Sequence, residues 1–574
     1  MLVSATVPEI RAAEQPLLDA GVPLMDQAAH AVAAAIEADG FGPGATVDLL
    51  IGSGNNGGDA LWAGKYLRDA GFRVTAYLVG DSVYAPGLEA FRASGGSVVI
   101  VGGAKAVPTG GDSSGLPSRG FETPHGGSST DGISTRPDPQ LATVVAAAQV
   151  ATADVIIDGL LGIGASGAMR GIGGELVTAL NNQFKATGTL SRKKPWVVAV
   201  DCPSGVNLDG EFAGQVPGPA LKANHTITFG APKPGLLLPP ASHYAGQVTV
   251  ENLGMAVPGA EDTGSNAARI TDSITTSNIN APVVKRLTAT DVANLWAVPG
   301  PDDQKYTRGV VGVVAGTNRY PGAAILATKA AVNTGVGMVR YLGPDDVTKM
   351  VIAGQPEVVA GGGRVQSWVF GPGIPTTASG DADDGQRERI RAALAGAVGT
   401  LAGVTGGKTP AVVDAGALEI IPTKLPPWIV LTPHSGELAA LLSARGVPTS
   451  RAQVEANPLA AARKAQELTG ATVLLKGATT IVVGADGQVY SQAEAPAWLA
   501  TAGAGDVLAG LLGAMLAQHS AEVVADPGAA GRVAAAAALL HGYAAAKVNP
   551  GGPITASKVA KAIPKAVAKI LTGN

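Results

Sequence analysis

Apolar residues recur in two alternating patterns along most of the chain. Between Ile10 and Ile36 they lie at helical spacing, and Gly21 and Pro23 interrupt the run, which predicts two helices. Short apolar runs typical of buried strands follow, and helical segments separate them. The strands predicted in the first half are 47–51, 74–79, 151–157 and 196–200, with a helix at 59–70. This alternation predicts a parallel, doubly wound sheet in an α/β fold.

The second half repeats the alternation of strands and helices. The predicted strands are 310–315, 336–342, 369–370, 411–413, 429–431, 473–475 and 481–483. The predicted helices are 288–295, 323–332, 504–518 and 533–546. A polar stretch at 259–280 separates the two halves. We therefore predict a Rossmann-like three-layer αβα domain at 1–255, a linker at 256–285 and a second α/β domain at 286–574.

Residues 102–140 interrupt the first pattern. Gly, Ser, Thr, Pro and Asp dominate the segment, and aliphatic side chains are almost absent. Such a composition cannot bury enough apolar surface to offset the entropy of ordering the chain. We predict a disordered surface insertion here.

Composition narrows the class of protein. The chain has 574 residues and 46% hydrophobic residues, but no uninterrupted apolar stretch long enough for a membrane span. Residues 1–10 lack the basic and apolar regions of a secretory signal. The net charge of −4 excludes a broadly basic surface for nucleic acid. The single cysteine, Cys202, excludes an intrachain disulfide, and we expect it to be buried and unreactive. A cytoplasmic protein without membrane or nucleic-acid partners is expected.

A glycine-rich loop, GSGNNGGD at 52–59, follows a predicted strand and opens a helix. Backbone N–H groups in such a loop hold anionic ligands. Taken alone, GxGxxG with Asp81 downstream would indicate an NAD-binding dehydrogenase domain. The paired asparagines and the following Gly-Gly-Asp offer amide and carboxylate groups as well. Two later segments, 158–168 and 201–205, also end predicted strands, so they belong to the same edge of the sheet.

These motifs resemble a known family. GSGNNGGDA, DGLLGIGASGAMRG, VDCPSGV and TITFGAPKPGLL, preceded by IRAAE and LMDQAA, are similar in kind and order to the NAD(P)H-hydrate epimerases. The resemblance covers residues 8–255 apart from the insertion. It implies that this domain interconverts the R and S hydrates of NADH and NADPH (NADHX and NADPHX).

The resemblance also implies roles for individual residues. Asp201 is expected at the reacting nicotinamide ring as the catalytic carboxylate, and Asn56, Asp158 and Ser204 are expected to hold K⁺. The residues expected to bind the hydrate are Asn55, Asn56, Gly57, Gly58, Asp59, Gly162, Ile163, Gly164, Ala165, Ser166, Gly167, Ala168 and Asp201.

Structural roles remain as alternatives for these residues. Asp201 and Asp158 could cap turns, and Asp59 could favour the helix dipole. Oxygen ligands suit a hard cation without identifying it.

A second loop, AGAGD at 502–506, opens an apolar helix and places a carboxylate beside its N-terminus. This arrangement suits deprotonation of a hydroxyl group during phosphoryl transfer. With LTPHSGE and LLKGATT, which end predicted strands, it resembles the ribokinase-like fold. More narrowly, the run from KYTRG to MVRY at 305–341, FGPGI, VVDAGAL and TAGAGDVLAGLLGAML resemble the ADP-dependent NAD(P)H-hydrate dehydratases over residues 288–570.

The second resemblance implies phosphorylation of the hydrate by ADP with Mg²⁺, followed by loss of phosphate, which restores NAD(P)H and leaves AMP. Asp506 is expected to be the general base. The residues expected to face the hydrate are Ala323, Gly373, His434 and Asp506. Those expected to bind the nucleotide are Lys476, Gly477, Ala478, Thr479, Thr480 and Gly505.

Two departures from the second family pattern lie near the expected nucleotide contacts. Residues 371–375 read GPGIP, with Pro where another Gly is usual, and Gly416 stands where an acidic residue is common. His434 could be structural and Lys476 could be a solvated turn lysine.

The sequence is therefore identified as a bifunctional NAD(P)H-hydrate repair enzyme, and we expect a homo-oligomer. Two alternatives remain. One is a ribokinase-fold kinase for a sugar or vitamin, with a noncatalytic nucleotide-sensing N-terminal domain. The other is a binding module whose first site has lost activity, although Asp59, Asp158 and Asp201 argue against it.

Overall fold

The computed structural model describes residues 1–101, 139–187, 194–257, 283–397 and 408–573. The predicted insertion lies outside these residues except at its end, where a helix begins at Pro139. Most of the predicted linker also lies outside them. Within the described ranges, none of the helices is both long enough and apolar enough to cross a lipid bilayer.

The first half contains eight strands within the described residues. They are β1 (Leu2–Val3), β2 (Thr46–Ile51), β3 (Arg73–Leu78), β4 (Ser97–Ile100), β5 (Val155–Gly159), β6 (Trp196–Val200), β7 (His225–Phe229) and β8 (Gln247–Glu251). The helices between them are α1 (Val7–Asp19), α2 (Leu24–Ala38), α3 (Asn55–Asp69), α4 (Ala85–Ala93), α5 (Pro139–Val150), α6 (Gly171–Thr187), α7 (Pro234–Leu237) and α8 (Ser242–Ala245).

Strands β2 to β8 form a parallel sheet in the order β4-β3-β2-β5-β6-β7-β8. Its alternating side chains pack on two layers of helices. Leu49 and Ile51 join a core with α1 to α4, whereas Leu50 joins a core with α5 and α6 on the opposite face. The predicted three-layer αβα architecture is confirmed.

The second half continues the numbering of both kinds of element. Its strands are β9 (Val284–Arg286), β10 (Val310–Val314), β11 (Met338–Tyr341), β12 (Val358–Ala360), β13 (Ser367–Phe370), β14 (Ala411–Val413), β15 (Ile429–Leu431), β16 (Thr472–Leu475), β17 (Thr480–Val483) and β18 (Val489–Gln492). Its helices are α9 (Ala289–Leu295), α10 (Pro321–Asn333), α11 (Asp345–Gly354), α12 (Gln386–Ala397), α13 (Ser435–Ala444), α14 (Arg451–Ala456), α15 (Pro458–Thr469), α16 (Ala504–Gln518), α17 (Ser520–Ala525), α18 (Ala529–Val548) and α19 (Ala556–Thr572). Short 3-10 helices occur at Gly210–Phe212, Thr377–Ser379, Ala415–Glu419 and Ala497–Leu499.

The second sheet has the order β1-β9-β18-β17-β16-β15-β14-β13-β10-β11-β12. Strands β10 to β16 pair in parallel, and β17 and β18 add an antiparallel hairpin. Val313 faces the core formed with α10, α16 and α18, whereas Val314 faces the core formed with α13 and α15. This half is therefore also a three-layer α/β unit, as predicted.

The first strand departs from the expected division of the chain. β1 pairs antiparallel with β9 of the second sheet, through Leu2 opposite Arg286 and Val3 opposite Lys285. Ser4 extends the pairing, because its N–H donates to the carbonyl oxygen of Val284 at 2.9 Å. The first residues of the chain thus pair with the second half.

One predicted strand is displaced. The prediction at 151–157 begins too early, since the strand is Val155–Gly159 and α5 ends just before it at Val150. Residues 151–154 form a turn after the helix, and an uninterrupted run of β-branched residues begins only at Val155. β5 ends at Gly159, where a Cβ atom would stand 2.7 Å from that of Ala60 on α3.

Candidate active sites

The carboxyl end of the first sheet opens into a cavity of about 1040 Å³. It lies between the ends of β2 and β5, where the strand order reverses, which is where doubly wound sheets bind ligands. The predicted residues Asn55, Asn56, Asp59 and Asp201 line it together with the whole 162–168 loop. The structure therefore brings three separate predicted motifs to one site.

Glycines allow the loops after β2 and β5 to lie directly against each other. A Cβ atom on Gly52 would stand 1.8 Å from the carbonyl oxygen of Leu160, and one on Gly57 would stand 2.3 Å from the oxygen of Gly52. Gly57 and Gly58 are not among the cavity-lining residues; their role here is close packing. No side chain caps α3 at Gly54, so the N–H groups of its first turn lack a side-chain acceptor.

Asp201 is held by a buried lysine that the sequence analysis did not single out. Its backbone has a φ of 62°, a left-handed conformation that costs about 1 kcal/mol or more for a residue with a side chain. Its Oδ1 accepts hydrogen bonds from Thr228 Oγ1 at 2.9 Å, from the N–H of Phe229 at 3.2 Å and from Lys233 Nζ. The described part of the chain offers no donor to Oδ2. One oxygen of a cavity-lining carboxylate is thus saturated and the other is available.

Lys233 has no solvent exposure. Besides Asp201, its Nζ donates to Thr228 Oγ1 at 2.9 Å and to the carbonyl oxygen of Phe229 at 3.1 Å. All three donor positions of the ammonium group therefore have protein acceptors. The residue lies inside the quoted TITFGAPKPGLL motif, as the N-cap of α7 in the segment that follows β7, and its place in that motif was the available signal.

Two further carboxyl groups face the same cavity. Burial raises the pKa of Asp59 well above its usual range, and the charges of Asp201 and Glu14 add to this. Burial also raises the pKa of Glu14, although Lys233 opposes the shift. Glu14 is the last residue of the IRAAE segment on α1 and was not predicted to be a site residue. The cavity thus combines an ion-paired carboxylate with carboxyl groups that bind protons more tightly than usual.

The three residues expected to hold K⁺ are connected behind the cavity. Ser204 donates to Asp158 through its N–H at 2.8 Å and its Oγ at 2.6 Å. Ser204 Oγ also accepts from the N–H of Leu161 at 2.9 Å, and the oxygen of Leu161 accepts from Asn56 Nδ2 at 3.1 Å. Asp158 is fully buried, which raises its pKa. In the described residues, no lysine or arginine pairs with this carboxylate, and oxygen atoms of this kind are the ligands that hard cations prefer.

Cys202 is buried, as expected, and its thiol lies 3.7 Å from the carbonyl oxygen of Leu161. Burial raises the pKa of this thiol well above its usual range, and the charge of Asp201 adds to the shift. The group is therefore a poor nucleophile.

In the second sheet the strand order reverses between β10 and β13. The N–H of Gly316, after β10, donates to the oxygen of Pro372, after β13, at 2.7 Å. Gly373 has a φ of 68°, and a Cβ atom on it would stand 2.5 Å from that of Ala323. The structure therefore brings Ala323 and Gly373 together at the switch point, and their contact with the hydrate remains a prediction.

The two departures from the dehydratase pattern lie against each other. A Cβ atom on Gly416 would stand 2.5 Å from the oxygen of Ile374 and 2.6 Å from that of Pro375. An acidic side chain does not fit at 416 with this backbone. The GPGIP turn therefore packs directly against Gly416, and the two departures belong to one contact.

Asp506 lies beside a lysine–aspartate pair. Lys476, after β16, donates to Oδ1 of Asp414, after β14, at 2.6 Å, and lies 3.6 Å from Glu437 Oε2. Burial tends to lower the pKa of Lys476, but Asp414 and Glu437 outweigh it and raise the value. Burial and the charge of Asp414 raise the pKa of Asp506 to about 6, although Lys476 opposes this. A Cβ atom on Gly505 would stand 3.5 Å from Lys476 Nζ, so the two predicted nucleotide motifs meet.

Sequence reasoning missed Asp414 and Glu437. Asp414 is buried and also accepts from Thr432 Oγ1 at 3.0 Å. Both residues lie inside quoted motifs, VVDAGAL and LTPHSGE. Their positions in the sequence could have indicated a site, because each lies in the segment after a strand, at the carboxyl end of the sheet.

His434 caps α13. Its Nδ1 accepts from the N–H groups of Gly436 at 3.0 Å and Glu437 at 3.2 Å, and its own N–H donates to Glu437 Oε2 at 2.8 Å. The side chain is 56% exposed. The structural role that the sequence left open is therefore present, and the predicted contact with the hydrate remains a prediction.

Two known protein families match separate parts of the chain. A family described as "YjeF-related protein N-terminus" matches residues 22–235, and one described as "NAD(P)H-hydrate dehydratase" matches residues 311–565. A Mycobacterium leprae protein named bifunctional NAD(P)H-hydrate repair enzyme is 34% identical, covering 98% of this chain and 99% of its own. A protein of the same name from Mycobacterium tuberculosis is 35% identical over 89% of this chain and 88% of its own.

The chain belongs to the bifunctional NAD(P)H-hydrate repair enzymes.

Membership in the NAD(P)H-hydrate repair family confirms the predicted function and enzyme class. It also decides against the small-molecule kinase and the inactive binding module. Among solved structures, an ADP/ATP-dependent NAD(P)H-hydrate dehydratase from Bacillus subtilis aligns with 50% of this repair enzyme and 99% of its own chain, at 22% identity and a TM-score of 0.42.

Proposed function

We propose that residues 1–255 epimerise the R and S hydrates of NADH and NADPH at the first cavity, and that residues 286–574 dehydrate the S hydrate with ADP. The observation that carries the first assignment is the state of Asp201. Asp201 lines the cavity, three donors saturate its Oδ1, and no donor to its Oδ2 is seen in the described residues. A carboxylate oriented in this way can exchange a proton with a bound molecule.

Epimerisation at C6 requires a proton to move in both directions. A proton delivered to the C6 hydroxyl group lets it leave as water, and the N1 lone pair forms a ring cation. Addition of water to the other face then returns the proton. Glu14 and Asp59 retain protons to higher pH than usual and are suited to supply one. Asp201 Oδ2 would accept the proton of the incoming water, and its charge would stabilise the cation.

Asn56, Asp158 and Ser204 would hold K⁺ in the first domain. Their side-chain oxygens suit a hard cation, and the fully buried Asp158 lacks a cationic partner among the described residues. When bound, K⁺ would supply a fixed positive charge that favours an anionic substrate.

At the second site, Asp506 would act as the general base. Its pKa of about 6 leaves it ionised at neutral pH and still basic enough to take the proton of the hydrate's hydroxyl group. The hydroxyl oxygen then bonds to the β-phosphorus of ADP, and AMP leaves. Loss of phosphate from C6, with loss of a proton from C5, restores the double bond of NAD(P)H.

Lys476, Gly477, Ala478, Thr479, Thr480 and Gly505 would bind the nucleotide, with Lys476 as the phosphate contact. The Lys476 ammonium is partly exposed, so it can reach a ligand while paired with Asp414. Mg²⁺ would enter with ADP and offset the charge of its phosphates. Ala323, Gly373 and His434 would face the hydrate. Cytoplasmic location and homo-oligomerisation complete the proposal.

The test uses a defined mixture of R and S NADH hydrate with ADP, Mg²⁺ and K⁺, and follows recovery of the near-ultraviolet absorbance of NADH. The unaltered protein is expected to convert the whole pool quickly. Asp201→Asn should recover the S fraction at the normal rate and leave the R fraction, because only the epimerase step is lost. Asp506→Asn should recover nothing, while chromatography still shows exchange of R and S.

Two results would contradict these assignments. Rapid use of the R fraction by Asp201→Asn would remove Asp201 from the epimerase step. Normal NADH recovery by Asp506→Asn would remove Asp506 from the dehydratase step.

A further inference from the structure

The first domain touches the loop that we assign to the nucleotide in the second domain. That loop, residues 476–480, connects β16 to β17. Ser242, the first residue of α8, places its hydroxyl group 3.2 Å from Thr479 Oγ1, so one of the two hydroxyl groups donates to the other. The two residues are 237 positions apart in sequence. The contact therefore joins the two proposed activities.

Burial divides the loop into two parts. Gly477 and Ala478 are exposed, whereas Thr479 is only 5% exposed. A threonine in a hairpin connection is usually solvated. Gly477 and Ala478 thus face solvent, whereas Thr479 is buried in contact with Ser242.

The segment that carries Ser242 is anchored in the second domain. Leu237, the last residue of α7, and Leu238 have no exposure and belong to the same apolar core as Leu475 and Ile481, which flank the loop. Arg286 of β9 fixes the backbone of this segment, since its Nη2 donates to the oxygen of Leu237 at 3.2 Å. A segment packed in this way is a rigid support.

We propose that Ser242 is a positioning residue for the dehydratase, because its hydroxyl group holds Thr479 and thereby fixes the nucleotide loop in the conformation that binds ADP. This inference rests on the proposed function of residues 476–480. It means that the epimerase domain contributes a side chain that supports nucleotide binding by the dehydratase domain. Loss of the contact should affect binding of the nucleotide more than the chemical step, since Asp506 lies on α16 and has no contact with Ser242 among those seen in the described residues.

The test measures ADP dependence at saturating S hydrate in the full chain. Ser242→Ala is expected to raise the KM for ADP about twofold to tenfold, the change that corresponds to one hydrogen bond between neutral groups, with kcat nearly constant. Ser242→Thr keeps a hydroxyl group and should restore the KM. His243→Ala, at the exposed neighbouring position, is the matched control and should resemble the unaltered protein. Epimerase rates should be the same in all three variants.

Lys476→Met separates failure of the inference from failure of the proposed function. If Lys476→Met raises the KM for ADP and Ser242→Ala does not, Ser242 has no positioning role and the loop assignment stands. If neither variant changes the KM, the loop does not bind ADP and both statements are wrong. A parallel loss of kcat and epimerase rate in Ser242→Ala would indicate a general structural defect and would also overturn the inference.

Discussion

Each domain places a lysine–aspartate pair at the carboxyl end of its sheet, but the two pairs differ in what they leave free. In the first domain, Lys233 is fully buried and all its donors are used inside the protein. In the second, Lys476 retains 20% exposure beside Asp414. The first lysine has no donor position left for a ligand, whereas the second is exposed enough to bind one.

The proposed proton-transfer groups differ in a corresponding way. Asp201 is itself a member of the buried pair. Asp506 is outside the pair and responds to it through space, since Asp414 raises its pKa and Lys476 lowers it. Direct contact fixes the orientation of a carboxylate, whereas a nearby pair tunes its proton affinity. Each site thus uses a lysine–aspartate pair to act on a carboxylate. The first pair fixes the orientation of Asp201, and the second shifts the pKa of Asp506.

The strongest test of this contrast is Lys233→Met. Removal of one partner of a buried pair leaves Asp201 uncompensated, which costs about 3–5 kcal/mol when the partner charge stays buried. We expect loss of epimerase activity by at least about a hundredfold. Dehydratase activity on pure S hydrate, measured in the same sample, reports whether the chain is still folded.

Lys233→Arg serves as the companion variant. It keeps the charge but is too large for the enclosed site, so partial epimerase activity is expected. Full epimerase activity in Lys233→Met would show that the buried pair does not orient the reacting carboxylate.

The pH dependence of the second site gives the next largest effect. The pKa of Asp506 is raised to about 6, so its basic form is present above this pH and is lost as the pH falls through it. The dehydratase rate at saturating substrates should therefore fall about tenfold for each pH unit below about 6. An acid limb near the ordinary aspartate pKa would contradict the assignment of Asp506 as the base.

Charge removal within the second pair should move that acid limb in opposite directions. Asp414→Asn removes the charge that raises the pKa of Asp506, so the limb should move to lower pH. Lys476→Met removes the charge that lowers it, so the limb should move to higher pH. Profiles of kcat at saturating ADP measure both shifts. Movement in the same direction would show that the pair does not act on Asp506 through its charges.

The smallest expected effect concerns His434. His434→Ala removes an N-cap, which costs about 0.5–2 kcal/mol of stability. His434→Asn keeps a capping oxygen, so thermal unfolding should be nearly unchanged. If the imidazole also faces the hydrate, His434→Asn should raise the KM for the S hydrate severalfold. An unchanged KM would leave capping as its role.

The sequence predicts strands better than it predicts pairs of residues. The run at 196–200 is β-branched and apolar with clear ends, and the strand is Trp196–Val200 as predicted. Lys233 and Asp201 are 32 residues apart, and Lys476 and Asp414 are 62 apart. Their contacts depend on the order of strands within each sheet, which periodicity does not encode. The roles of Asp201 and Asp506 were implied by the family resemblance of the VDCPSGV and TAGAGD motifs, whereas Lys233 lies between two prolines of a third motif and was assigned no role.

Pairing of β1 with β9 has a consequence for how the chain folds. The N–H of Val284 donates to Ser4 Oγ across 280 positions of sequence, at the edge of the second sheet. During synthesis, Ser4 must wait until about 280 further residues have been made before its partner on β9 exists. Separation of this chain into two independent proteins at the linker would remove β1 from β9. β9 would then pair only with β18 and would become an exposed edge of the second sheet. Backbone hydrogen bonds between β1, at the start of the first domain, and β9, at the start of the second, therefore link the two domains in addition to the covalent chain.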